Sequence, residues 1–314
     1  MRSKGKLDAV FAAAAGAYSP ATIRGYRADL ATFEKWCAQQ KCSVLPARSG
    51  SIALFVNEQI ERHAVSTIKR RLCAIAFAHR MRDLPLPTDA NSVRLALRRA
   101  VRKRASRPKQ VRGLTNVIRR SIIKACPKSL AGVRDAALIS VGYDTLCRSS
   151  ELAAMRVEHL RFEAGNAGSV LIPRSKSDVS GQGRIAYLSP QTASLLRRWI
   201  AMSGISTGPL FRSLHLQRLY DGPLTTSSIR RLIKRATQRA GLPPSVAAEL
   251  SGHSMRIGAA QDMLVAGFDA LAIMQAGGWK SANVVLRYVE NASTKELHIR
   301  RWKAIGSRVF GEIA

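Results

Sequence analysis

A chain of 314 residues carries 51 Lys and Arg against 20 Asp and Glu, a formal net charge of +31. A charge of that size calls for a polyanionic partner, and nucleic acid answers it better than a membrane surface. The five cysteines are odd in number and form no CxxC pair, which excludes a disulfide framework or a zinc site and suits a reducing cytoplasm.

With 46% hydrophobic residues the chain can bury two cores, and no apolar run reaches the length of a membrane span. Val10–Ala17 is Ala-rich but too short for a signal peptide. The amino-terminal part reads as helices. Leu7–Ala17 is weakly helical. Ser19, as N-cap, and Pro20, in the first turn, open a helix whose apolar stripe is Ile23, Tyr26, Leu30, Phe33 and Cys37. Ser51–Arg62, Val65–Arg80 and, after the Pro-rich turn Leu84–Thr88, Asn91–Arg104 follow as helices. Lys69, Arg70 and Arg71 are consecutive on the Val65–Arg80 helix, so at least two of them must face solvent or a ligand.

Arg98–Arg112 holds eight basic residues and no acidic one, and its helix gives way at Ser106-Arg107-Pro108. This run divides the chain into an all-α domain over 1–105, a basic linker over 106–112 and a second domain over 113–314. Met1–Arg112 has 23 basic and 7 acidic residues and the remainder 28 and 13, so both parts are built to face phosphate. The linker itself, with Arg102 and Arg107, reads as a segment crossing the phosphate backbone.

The second part opens with helices over Asn116–Cys126 and Leu130–Thr145. A compact block of strands follows, Val157–Arg161, Ser169–Pro173 and Arg184–Leu188, with turns at Gly165–Gly168 and Gly181–Gly183. Helices resume at Pro190–Met202 and Thr226–Ala240. In the tail, Glu296–Phe310 sets Ile299, Trp302, Ile305 and Val309 on one helical face.

The stretch Leu250–Glu290 carries the chemistry. His253 and Arg256 are three apart, on one face of a helix, and Trp279 and Tyr288 follow. The His-x-x-Arg spacing alone is uninformative, because it recurs at His79/Arg82, His215/Arg218 and His298/Arg301. A tyrosine beside a basic pair can attack a phosphodiester if positive charge surrounds the non-bridging oxygens and the leaving oxygen receives a proton. Arginine suits the first task because its planar fork binds two oxygens at once. Arg148, at the start of a helix with Glu151 three residues on, is a second clamp candidate; the plain alternative is an ordinary surface ion pair. Lys176, between the second and third strands, suits the proton transfer, unless it is simply a solvent-facing turn lysine.

The pattern Arg148, Lys176, His253, Arg256, Trp279, Tyr288 resembles the tyrosine recombinase (phage integrase) family. Leu250–Gly258, Ile273–Trp279 and Asn283–Asn291 carry the likeness most densely, and Ala64–Leu72 and Leu84–Arg99 extend it into the first domain. Trp279 and Ile257, where many relatives have His, point to one subgroup. The resemblance implies a mainly α, two-domain, C-shaped DNA clamp: an all-α, SAM-like core-binding domain and an α-rich catalytic domain with a small antiparallel β-sheet. It implies that Tyr288 is the nucleophile and forms a 3′-phosphotyrosyl bond. Arg148, Arg256, His253 and Trp279 would stabilise the transition state, Lys176 would protonate the 5′-oxygen, and Glu151 would support the site. No metal or other cofactor is expected, because each ester exchange conserves bond energy and no acidic cluster suits a pair of divalent ions.

The implied partner is double-stranded DNA with an inverted-repeat target, bound by a dimer per site and a homotetramer on two sites. Ile299, Trp302 and Ile305 would dock into a neighbouring protomer; packing on their own domain is the alternative. Arg24, Arg27, Lys69, Arg70 and Arg71 in the first domain, and Ser227, Arg230, Arg231 and Lys234 in the second, are the DNA-contact candidates. Several differ in type from the corresponding residues of the subgroup, so the target is expected to be the chain's own. A type IB topoisomerase and a DNA-binding regulator with an idle site are the competing readings.

Affinity for duplex DNA should fall steeply with salt, each neutralised phosphate contributing about −0.9 to the log–log slope. Binding titrations across salt concentrations check this, and a shallow slope would mean that much of the positive charge faces away from DNA.

Overall fold

The computed structural model describes residues 2–104, 111–163, 166–173, 183–215, 218–289, 298–299, 301–303 and 305. Lys176 and Arg107, with most of the basic linker, lie outside the described residues. The chain divides into two compact units, Met1–Pro108 and Lys109–Ala314.

The first unit is helical throughout: α1 (Arg2–Ala13), α2 (Pro20–Gln39), α3 (Ser49–Ile60), α4 (Val65–Arg80) and α5 (Asn91–Lys103). α1 starts at Arg2 rather than Leu7, and Leu7, Val10 and Phe11 are buried along one face of it. Ser19 caps α2, its Oγ accepting the Thr22 N–H at 3.1 Å. At the centre of the core Phe55 meets Phe33 and Trp36 edge-on, at ring-centroid distances of 5.1 and 5.2 Å. Asp29 of α2 is buried beside α4 and paired with Arg70 there, which offsets the cost of a carboxylate out of water.

The second unit begins with α6 (Asn116–Lys124), α7 (Leu130–Asp144) and α8 (Ser149–Ala153). α7 is buried without interruption from Gly132 to Gly142, so it is the central helix and shows no one-sided stripe. An antiparallel sheet of β1 (Leu160–Phe162), β2 (Gly168–Ile172) and β3 (Arg184–Leu188) packs Val170, Ile172, Ala186 and Leu188 inward. The expected strand over Val157–Arg161 is instead a 3-10 turn at Val157–His159 followed by β1. α9 (Pro190–Ser203) buries Trp199, whose indole N–H donates to the Leu210 carbonyl at 2.8 Å. A second hairpin, β4 (Arg212–His215) and β5 (Arg218–Pro223), had no counterpart in the sequence reading. β5 is exposed at almost every position and so lacks the alternation that marks a strand.

α10 (Thr226–Arg239), α11 (Pro244–Glu249), α12 (Ser254–Ala266), α13 (Ala270–Gly277) and α14 (Ala282–Val289) follow in this unit. α12 is buried from Ser254 to Gln261. The chain entering the unit runs along it: Arg112 N–H donates to the Glu249 carbonyl at 3.3 Å, and Leu114 N–H to the Ser254 carbonyl at 2.7 Å. Asn116 N–H then donates to Asp262 Oδ2 at 2.6 Å.

Gly258 of α12 makes this approach possible, since a Cβ there would lie 2.0 Å from the Leu114 carbonyl oxygen. Gly25 of α2 faces open space. Gly258→Ala should therefore destabilise the second unit by about 1–3 kcal/mol, whereas Gly25→Ala should stabilise the first by about 0.5–1 kcal/mol. Denaturant midpoints of the two variants measure both, and an unchanged midpoint for Gly258→Ala would contradict the close approach.

Candidate active site

The site is assembled where α7, α12 and α13 end or begin. Beyond α7, Leu146 takes a left-handed backbone conformation (φ +50°) that turns the chain into Arg148, the N-cap of α8. Glu151, at the third position of α8, accepts from the Arg148 backbone N–H at 2.9 Å and from its Nη1 at 2.6 Å. The pair is not an ordinary surface contact: the Glu151 side chain is 3% exposed and that of Arg148 21%. Held at both ends, Arg148 has little rotamer freedom left to lose on meeting an anion.

His253 is the N-cap of α12 in helical conformation and so precedes the helix rather than lying within it; the three-residue spacing still puts it close enough for Arg256 to act on its charge. Arg256 is almost wholly buried. Its Nη1 donates to the carbonyl of Leu146 and, at 2.9 Å, to that of Gly277. Its guanidinium lies 3.8 Å from the centroid of the Trp279 ring. Nη2 is also buried and makes no hydrogen bond among the described residues. Burial, with Arg148 as the next cause, pushes the Arg256 guanidinium down to about 10, so it remains a cation at neutral pH.

Trp279 is reached through Gly278, which closes α13 at φ +65°, a conformation that favours glycine. The Trp279 and Tyr288 rings are 5.6 Å apart at 46°. Tyr288 lies half-buried near the end of α14, and its backbone carbonyl accepts from Gln261 Nε2 of α12 at 3.2 Å. The structure thus brings Arg148, Glu151, His253, Arg256, Trp279 and Tyr288 into one neighbourhood. The His253 imidazole is lowered from its ordinary 6.5 by desolvation first and then by the charges of Arg256 and Arg148. The residue as a whole is exposed.

Sequence reading missed two residues here. Arg184, the first residue of β3, donates from Nη1 to the Ala276 carbonyl at 3.0 Å and from Nη2 to the Thr145 carbonyl at 2.6 Å. It spans the same two loops as Arg256, one residue earlier on each. Gln261 is the other, tied to the main chain of Tyr288. Neither stands in a recognisable motif; both act on backbone carbonyls, which no side-chain pattern reveals.

Of the DNA-contact candidates, Arg24, Arg27, Lys69, Arg70, Arg102, Ser227, Arg230 and Arg231 are exposed and Lys234 is half-buried. Arg27 lies 3.5 Å from Asp8. Arg71 departs from the expectation: it is buried, donates from Nη1 to Gln59 Oε1 and sits 3.8 Å from Asp29, so it is part of the core between helices rather than a surface contact. Ile299, Trp302 and Ile305 are 46%, 64% and 38% exposed, which goes against their packing on their own unit.

Comparison with known proteins agrees with this arrangement. The model of the phage integrase family matches residues 114–295, and that of the phage integrase N-terminal SAM-like domain matches residues 13–80. The chain is 29% identical to the recombinase Cre of Escherichia phage P1 over 282 residues, covering 83% of this chain and 81% of Cre. It is 28% identical to a XerD integrase/recombinase homologue of Selenomonas ruminantium, covering 87% and 82%. Among solved structures, the XerH site-specific recombinase in a post-cleavage complex with its palindromic difH substrate aligns with a TM-score of 0.64 at 17% identity, over 91% of this chain and 79% of that one. A lambda integrase dimer bound to a COC′ core site aligns at 0.62 and 15% identity, over 93% and 78%. No helix among the described residues is long and apolar enough to cross a membrane. With the family model covering well over half of its length, from Leu114 through the tyrosine-bearing helix α14, the chain belongs to the phage integrase family, the tyrosine recombinases.

Proposed function

We propose that this protein is a site-specific DNA recombinase that cleaves and rejoins duplex DNA through a 3′-phosphotyrosyl intermediate, exchanging strands between two short, partly palindromic sites. The observation that carries the reading is the convergence of uncompensated positive charge beside one tyrosine. Among the described residues, Arg148, Arg184 and Arg256 stand with one carboxylate, Glu151, and a buried N–H group of Arg256 has no acceptor. A phosphodiester supplies both the charge and the acceptor.

In this reading the Tyr288 hydroxyl gives up its proton to solvent water and its oxygen attacks phosphorus in line. The P–O bond to the 5′-oxygen breaks as the P–O bond to tyrosine forms, and the leaving 5′-oxygen takes a proton from Lys176. Arg148 and Arg256 bind the non-bridging oxygens and, with the N–H groups of His253 and Trp279, stabilise the charge that builds in the transition state. Glu151 fixes Arg148, and the Trp279 ring backs Arg256. Rejoining is the reverse attack by a 5′-hydroxyl of the partner strand, so neither a nucleotide nor a metal is called for. The exposed Ile299, Trp302 and Ile305 would dock into a neighbouring protomer within a tetramer on two sites, a dimer on each, in the same reading.

Tyr288→Phe should bind a selected target duplex as tightly as the wild type and form no SDS-stable protein–DNA complex, whereas the wild type should form one. Covalent complexes of undiminished yield with Tyr288→Phe would remove this tyrosine from the reaction. The His253 shift sets a pH test. Desolvation first, and then the repulsion of a further positive charge by Arg256 and Arg148, favour the neutral imidazole, so its midpoint lies below the ordinary 6.5. A bound phosphate offsets that repulsion, so the midpoint should rise when duplex binds. Imidazole NMR titration, with the resonance assigned through His253→Asn, measures both values; a midpoint at or above 6.5 in the free protein would contradict the assignment.

A further inference from the structure

The surface of α4 sets two basic residues side by side in different surroundings. Ser66, Lys69, Arg70 and Cys73 are exposed at helical spacing, while Ile68, Arg71, Leu72 and Ala74 are buried, so one open face carries two neighbouring cations and no acid. A single helix face of this kind fits the width of a major groove.

The two cations are not equivalent. Arg70 donates from Nε to Asp29 Oδ2 at 2.7 Å and from Nη2 to Asp29 Oδ1 at 2.8 Å, a side-on bidentate pair. The Asp29 side chain is 3% exposed and that of Arg70 is 59% exposed. Asp29 is itself held from the other side by Arg71, whose Nε lies 3.8 Å away. The carboxylate is thus fixed in the core, and it fixes the guanidinium plane in turn. It takes two of the five guanidinium N–H donors; the other two-pronged edge, one N–H from each of Nη1 and Nη2, points away from it by the planarity of the group.

Asp29 is shared by Arg70 and Arg71, so it offsets only part of the Arg70 charge; what the bidentate pair fixes is the plane of the guanidinium. What remains is a rigid pair of parallel donors. In the major groove only guanine offers two adjacent acceptors, O6 and N7; adenine sets a donor beside its N7, and either pyrimidine offers a single acceptor or donor.

We propose that Arg70, aimed by the buried Asp29, reads one guanine in each half-site of the target, and that its neighbour Lys69 contacts phosphate. The inference rests on the reading of the chain as a sequence-specific DNA recombinase and adds to it the base that is read and the residue that reads it. Lysine keeps a cation for Asp29 but has no fork, so Arg70→Lys tests recognition without leaving the buried carboxylate unpaired.

The experiment selects duplexes from a random pool with the full chain, then measures affinity for the preferred duplex and its single-base-pair variants at several salt concentrations. The wild type should prefer guanine at one position per half-site. Arg70→Lys should lose about 5- to 150-fold of the discrimination at that position alone, with the salt slope changed by less than about half a unit. Lys69→Ala should do the opposite, keeping every base preference and reducing the slope by about 0.9. A uniform loss of affinity in Arg70→Lys, a base profile identical to the wild type, or a wild-type profile without a preferred guanine overturns the proposal. The covalent-complex assay on the same duplexes is scored separately. Guanine selection without Tyr288-dependent linkage would leave this inference standing and sink the recombinase reading, and the converse result would do the reverse.

Discussion

The second unit depends on arginine held by main-chain carbonyls. Arg256 joins the Leu146 and Gly277 carbonyls, and Arg184 joins those of Thr145 and Ala276. Two adjacent carbonyls at the end of α7 are thereby tied to two adjacent carbonyls at the end of α13. Each pair belongs to a helix terminus whose carbonyls have no partner within the helix. The guanidinium groups satisfy those carbonyls and stand at the negative ends of two helix dipoles, where a cation is favoured. Because the partners are carbonyls and not carboxylates, both arginines keep their full charge. The cluster is stable enough to form, and strongly positive once it has.

That arrangement explains why the same few residues serve structure and chemistry. Arg256 could hold the two loops with Nη1 alone, and Nη1 makes both of its carbonyl bonds. Nη2 is left for a ligand, with the Trp279 ring covering the guanidinium face. Trp279 in turn contacts the Tyr288 ring, and Gln261 binds the Tyr288 main chain, so the tyrosine is placed by side chains that also make the small core of Leu146, Ala260, Ile273, Val285 and Val289. The site is preorganised by ordinary packing, which is the condition for electrostatic stabilisation at little reorganisation cost.

Much of this could be read from the sequence, and what could not has physical reasons. The helices of the first unit followed from capping at Ser19, the stripe through Leu30 and Phe33, and the turn after Arg80. The candidate set His253, Arg256, Trp279 and Tyr288 was legible as unusual residues at fixed intervals, and the structure brings these four together. Arg71 was misplaced because three consecutive cations give no sign of which one turns inward; the buried Asp29, one helix away, decides it. The β4–β5 hairpin was missed because an exposed strand has no alternation to read. Arg184 and Gln261 were missed because their partners are backbone atoms brought near only by the fold.

The segment that enters the second unit has a consequence of a mechanical kind. It lies along α11 and α12, bonded from Arg112 to Glu249, from Leu114 to Ser254 and from Asn116 to Asp262, and it presses against the bare backbone at Gly258. Arg256 sits between the second and third of these attachments. Any pull on the entering segment therefore meets the end of α11 at Glu249 first and the start of α12 at Ser254 next, two residues before Arg256.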